Sequence, residues 1–257
     1  MKNEIDKKIV ENNFIATKKR SERLLKELES GSTTNLQVIE YYLFEDMLRI
    51  AGYGKALEEL DENDIIINLR LAAEHALNVY KLKNTTINKI GYLQSSEEDV
   101  FIDESMTNPW VYIRAIYASA ASSSLVKLNE IISLPTQMYK SEQIKVQPIV
   151  NAYLVLLIDL ISKILSKKKI EEFMTFFQNS KNQDDIFWYL QAEVIEKIFL
   201  NDRKGTDLAL EKLEFFLNAY YSQEKYRNNP EAFLDLVLLG LKGIRTVYDI
   251  SDDLHID

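Results

Sequence analysis

The chain has no cysteine, two histidines, four prolines and seven glycines in 257 residues. Without cysteine there is no disulfide framework, zinc ribbon, iron–sulfur cluster or thiol nucleophile. Histidine stands only at positions 75 and 255, which all but rules out a poly-histidine metal site. Glycine and proline fall far below their usual shares of about 7% and about 5%, so turn-makers are scarce. Long apolar runs are missing too. The longest uncharged stretch of the apolar middle, Val146–Ile158, contains Gln147, Pro148 and Asn151 and falls short of the ~20 apolar residues that a membrane span needs. The opening residues, MKNEIDKKIVENNF, are charged and lack the apolar segment of an export signal, so a soluble, cytoplasmic protein is expected.

What is present reads as helix. A 46% apolar and 28% charged composition is ordinary for a soluble globule, and here it is rich in Leu, Ile, Glu and Lys. No linker, low-complexity tract or fixed-period repeat divides the chain. The expectation is one compact all-α domain over residues 1–257, of about nine to eleven helices. The formal charge of −9 argues against nucleic-acid binding, which needs a cationic surface. It suits a basic protein partner instead.

Local signals divide the chain further. A first helix of modest amphipathicity ends at Gly31, and Ser32 or Thr33 can cap the next, roughly Asn35 to Ile50. The Gly52-Tyr53-Gly54 triplet is expected to break it. After a short helix, Asn63 or Asp64 can cap a strong one from Ile65 to about Leu82. The segment from Lys83 to Met106 reads either as a long loop or as a small β-hairpin, Thr85–Leu93 against Val100–Asp103. Helix resumes at Asn108-Pro109, a cap with proline at the first helical position. Its small run Ala118–Ser124 allows another helix to approach closely. Another helix ends near Leu134-Pro135. The next starts near Pro148 and runs to about Leu165. It is apolar nearly all round, as a central helix is, and Lys163 and Lys167–Lys169 mark its exit. Helices over roughly 170–177, 184–200 and 206–221 follow, and Asn229-Pro230 opens a last one through Val247.

Candidate chemistry is thin. His75, beside Glu74, could serve as a general acid/base, but a lone histidine between Leu71 and Val79 reads as core or helix surface. Asp184-Asp185 reads as the first turn of a helix, where acids favour the dipole. The chain has no phosphate loop, nucleophile elbow or H-E-x-x-H motif. No catalytic residue, cofactor or metal is therefore expected. Two acidic clusters stand out: Glu58, Glu59, Asp61, Glu62 and Asp64, and then Glu97, Glu98, Asp99, Asp103 and Glu104. Charge runs are usually solvated surface. Read functionally, they form an acidic face that steers a basic partner, with Tyr53, Tyr92 and Phe101 as nearby anchors. Trp110-Val-Tyr112 and Phe187-Trp188-Tyr189 invite a ligand-pocket reading, although aromatics at helical spacing usually form core.

Two stretches carry a family resemblance. The first runs Asn108-Pro-Trp110-Val-Tyr-Ile-Arg-Ala115-Ile-Tyr117-Ala118, then Leu125–Leu128 and Ile132-Ser-Leu134-Pro135. The second runs from Leu210-Glu-Lys-Leu213 through Tyr220-Tyr221 to Arg227-Asn-Asn-Pro230-Glu231-Ala-Phe233, then along an apolar helix to Tyr248-Asp249. Together they resemble the Imm49 immunity family of bacterial polymorphic toxin systems, an all-α family. Pro109 between Asn108 and Trp110, Asn229 where aspartate is common, and Ala232 where glycine is common depart from its pattern. The resemblance implies a non-catalytic protein that binds and neutralises a cognate toxin domain, with no cofactor or metal. The acidic chain would suit a basic toxin. The two acidic clusters are the expected contact. The rival expectation is a helical-repeat-like scaffold or peptide-binding protein, open and curved, and an acid/base enzyme built on His75 and Glu74 comes third.

Overall fold

Short polar side chains open the helices and set the segmentation. In the computed structural model, which describes residues 5–31, 35–92, 104–135, 148–177 and 182–253, Asp6 caps α1 (Lys7–Ser30) and Asn35 caps α2 (Leu36–Leu57). α3 spans Glu62–Tyr92, and a short 3-10 turn, Glu104–Thr107, leads to α4 (Pro109–Ala121). Asn108 accepts from the backbone N–H groups of Trp110 and Val111, at 2.9 and 3.2 Å, ahead of the proline at the first helical position. α5 (Leu125–Ile132), α6 (Pro148–Ile161), α7 (Lys167–Thr175) and α8 (Gln183–Phe199) follow. The chain then forms α9 (Arg203–Tyr221), a 3-10 turn at Glu224–Tyr226, α10 (Pro230–Leu234) and α11 (Leu236–Asp253). The fold is all-α, and no strand occurs among the described residues.

One apolar core runs through the whole set of helices. α2 packs against α1, α3 and α10, while α4 is enclosed by α3, α5, α6 and α11. Leu43 and Phe44 are fully buried, and each such side chain stabilises the fold by about 1.5–3 kcal/mol over an exposed one. α10 on α2 and α11 on α4 join segments far apart in the chain. A solenoid, whose repeats touch only their neighbours, lacks such closures. α1 is also held through a wholly buried carboxylate. Asp46 accepts from both Nε (2.8 Å) and Nη2 of Arg20.

Several local expectations change once tertiary partners are in view. The glycine triplet does not break α2. Gly52 and Gly54 lie inside it because close neighbours, Pro230 and Leu60, take the space their side chains would fill. The first arm of the supposed β-hairpin is helical, since α3 continues through residues 85–92, and the second arm lies outside the described residues. α6 is not buried all round: Asn151, Ala152 and Val155 are exposed, because α4, α7 and α8 cover only one side. Lys167–Lys169 start α7 rather than end α6, with the hydroxyl of Ser166 accepting from the backbone of Lys169. Asp159, nearly buried on α6, accepts from Lys169 and so fixes that turn. The last helix is split at Asp235, whose φ of 53° ends α10 in the left-handed conformation. The small residues of α4 do admit a close neighbour, namely α11. A side chain on Gly243 would lie 2.2 Å from the Ala120 carbonyl oxygen.

Candidate functional site: an aromatic groove over a buried arginine

α4 carries a single charge in an otherwise apolar and small sequence, Arg114. Its side chain is 13% exposed and lies at the floor of a groove of about 380 Å³ formed by α2, α4, α8, α10 and the ends of α9 and α11. Nη1 donates to Glu45 Oε1 at 2.5 Å and Nη2 donates to Glu45 Oε2 at 3.3 Å, a fork-to-fork pair. Nη2 also lies 3.3 Å from Glu231 Oε1, and the guanidinium sits 5.3 Å from the Phe44 ring centre. Burial works against the charge of Arg114, but the Glu45 and Glu231 carboxylates outweigh it and hold the pKa above the ordinary arginine value. One buried cation therefore ties together α2, α4 and α10.

A second pocket of about 260 Å³ adjoins the groove and shares Trp110, Phe187, Tyr221 and Glu231 with it. Its wall is a run of aromatic rings. Trp110 meets Trp188 edge to face at 5.6 Å, and Trp188 packs on Tyr153 at 4.9 Å. Phe187 stacks toward Phe216 at 6.3 Å, and Phe216 toward Tyr220 at 6.0 Å. The Tyr226 hydroxyl donates to the Tyr220 hydroxyl at 2.6 Å. That bond, then burial, pushes the Tyr220 phenol up to about 12, and the nearby Asp184 and Glu231 carboxylates act in the same direction. Burial, followed by the charges of Glu231 and Asp235, raises Tyr221 as well.

The wall is braced from behind by a buried polar relay. Tyr117 donates to Gln191 Oε1 at 2.8 Å and shares a 2.5 Å contact with the Tyr153 hydroxyl. Gln191 Nε2 in turn donates to the Phe187 carbonyl at 3.3 Å. All three side chains are buried, and such satisfied networks fix one arrangement of the helices that carry them. Here they lock α8, with Phe187 and Trp188, onto α4 and α6. The groove is thus a preformed surface of aromatic edges and faces with carboxylates at its margin, an arrangement suited to binding.

His75 is elsewhere, buried between α2 and α3. Its Nδ1 lies 2.6 Å from Glu40 Oε2, and Asn78 donates to Glu40 Oε1 at 3.1 Å. Its partner is thus Glu40 and not the adjacent Glu74, which is exposed. Among the described residues, no group of three or more His, Asp or Glu side chains could hold a metal ion. No helix among them is long and apolar enough to cross a membrane.

The first acidic cluster is gathered on one turn. Glu58 ends α2 in the left-handed conformation (φ 59°), and the Glu59 N–H bonds the Gly54 carbonyl at 2.9 Å. Asp61 caps α3 by accepting from the Asp64 N–H at 2.8 Å, and Glu62 and Asp64 occupy its first turn. All five are exposed. Of the second cluster, Glu97, Glu98, Asp99 and Asp103 lie outside the described residues, and Glu104 opens the 3-10 turn before α4. Among the suggested anchors, Tyr53 is buried and lines the groove. Tyr92 lies in the last turn of α3, and Phe101 lies outside the described residues.

Trp110 and Phe187 are conspicuous in the sequence, whereas their meeting with Arg114, Glu45 and Glu231 is set by the fold. The available signal was the single charge in the apolar α4, since a cation there must find buried partners. Comparison with family models, with curated proteins and with solved structures returns no match.

Proposed function

We propose that the chain is a non-catalytic immunity protein that binds and neutralises a cognate toxin domain. One observation carries this reading. The two stretches that resemble the Imm49 family, far apart in sequence, converge on one groove: Trp110, Arg114 and Tyr117 come from the first, and Tyr221, Pro230 and Glu231 from the second. Residues that would otherwise serve only as caps and core therefore share a surface. Neutralisation by occlusion needs such a preformed surface and no reacting group. The acidic turn Glu58–Asp64 and the charge of −9 add long-range attraction for a basic toxin, raising the rate of encounter. A toxin acting inside the cell calls for a cytoplasmic protein.

The test is co-expression of whatever C-terminal domain the neighbouring upstream gene encodes, with and without this chain, scored by growth and by co-purification. Rescue together with a stable complex is expected. Toxicity that persists despite soluble chain would overturn the reading.

A further inference from the structure

The pocket between α4, α8 and α9 has a chemistry of its own. Its walls include Trp110, Trp188, Tyr220, Tyr221 and Tyr226, and its charged lining residues are Asp184 and Glu231, both acidic. Aromatic faces carry negative electrostatic potential, so rings and carboxylates here favour the same sign of guest. An anion would meet both carboxylates, and an apolar guest would desolvate them without compensation. A cation is favoured by the rings and by both carboxylates, with Leu217 the one aliphatic side chain of the lining.

The chain itself supplies a second, independent sign. Lys225 does not line the pocket, yet its ammonium rests 4.7 Å from the Tyr226 ring centre and 5.7 Å from that of Tyr220. Two of the rings that line the pocket thus already attract a cation of the chain itself. On the pocket side, Glu231 is 51% exposed and engages Arg114 through Oε1, so it also faces solvent. Asp184 is exposed in the first turn of α8. At about 260 Å³ the pocket is smaller than the roughly 300–1,000 Å³ usual for whole small-molecule ligands, and it matches a single large side chain.

We propose that this pocket receives the cationic side chain, arginine before lysine, of the partner protein. A guanidinium is planar, stacks on rings and forks onto carboxylates, which a compact ammonium does less well. The assignment rests on the reading that the partner is a protein, and it adds where and by what chemistry that protein is gripped.

The test titrates the full chain with a blocked Gly-Arg-Gly peptide, the same peptide with neutral citrulline in place of arginine, and choline. Binding is followed by the NMR indole resonance of Trp110, assigned with Trp110→Phe. The arginine peptide should shift that resonance saturably. Citrulline should bind about tenfold more weakly, and so should arginine to the Asp184→Asn/Glu231→Gln double variant, whose fold is checked by circular dichroism. Equal binding of arginine and citrulline peptides, tighter binding of choline, or no saturable shift would each overturn the assignment. The outcome is separable from that of the immunity reading. A toxin neutralised by the double variant as well as by the native chain removes this pocket and leaves immunity standing. Arginine binding without toxin rescue removes immunity instead.

Discussion

A side chain on Gly52 would lie 2.3 Å from the carbonyl oxygen of Pro230, so α2 and α10 touch backbone to backbone. The contact fixes α10, and with it Glu231, at the edge of the groove. Gly52→Ala gains helix propensity but forces the two backbones apart. A net destabilisation of about 1–3 kcal/mol is expected, read as a lower denaturation midpoint with an unchanged m-value. A variant as stable as the native chain would contradict the close approach.

Arg114 and Glu45 should behave as one unit. Arg114→Met leaves the Glu45 carboxylate, 11% exposed, without its forked partner, and is expected to cost about 3–5 kcal/mol. Adding Glu45→Gln should recover a large part of that loss, because the charges that lose a partner, Glu231 and Arg49, are both well exposed and no buried charge is then stranded. A double-mutant cycle by chemical denaturation measures the coupling, and additive losses would show that the pair is independent.

What could be read from the sequence was whatever depends on neighbouring residues alone. Asn108-Pro109, Asn229-Pro230 and Gly31 act through caps and backbone angles within a turn of themselves, and each does what its local chemistry dictates. The all-α class follows from the same local preferences. Gly52, Lys167–Lys169 and Asp235 could not be read that way. Gly52 answers to Pro230, almost two hundred residues away, and Lys169 to Asp159 on the preceding helix. The groove was visible only as fragments. Trp110, Phe187 and Tyr221 were conspicuous aromatics, but their convergence on Arg114 depends on how three separate helices pack.

The buried tyrosines give the fold an alkaline limit. Burial raises Tyr80, Tyr117 and Tyr153 above the ordinary value of 10.0. An unfolded tyrosine releases its proton near that value, and the folded one keeps it. Their contribution to stability is therefore complete below about pH 10 and is lost as pH rises through the folded values. Tyrosinate absorbance should show the exposed phenols ionising first. The buried set should ionise only together with loss of helical circular dichroism. Full ionisation with the helices intact would contradict the burial.

The acidic turn at the start of α3 lends itself to charge reversal. Replacing Glu58, Glu59 and Glu62 with lysine spares the Asp61 cap and gives up only the dipole interaction of Glu62, so stability should fall by no more than about 1 kcal/mol. Association with a basic partner should slow about tenfold at low salt, with a smaller change at high salt. Unchanged association would reduce this turn to solvated surface. The same reversal at Glu97, Glu98, Asp99, Asp103 and Glu104 asks the question of the second cluster.

Neutralisation by binding and neutralisation by chemistry part company when the isolated toxin domain is titrated with this chain and residual toxin activity is recorded against molar ratio. Stoichiometric occlusion predicts a linear fall that ends at one chain per toxin and does not deepen with longer incubation. Inactivation by a small fraction of an equivalent, growing with time, would mean that the chain acts catalytically. Full activity at molar excess would mean that it does not neutralise the toxin.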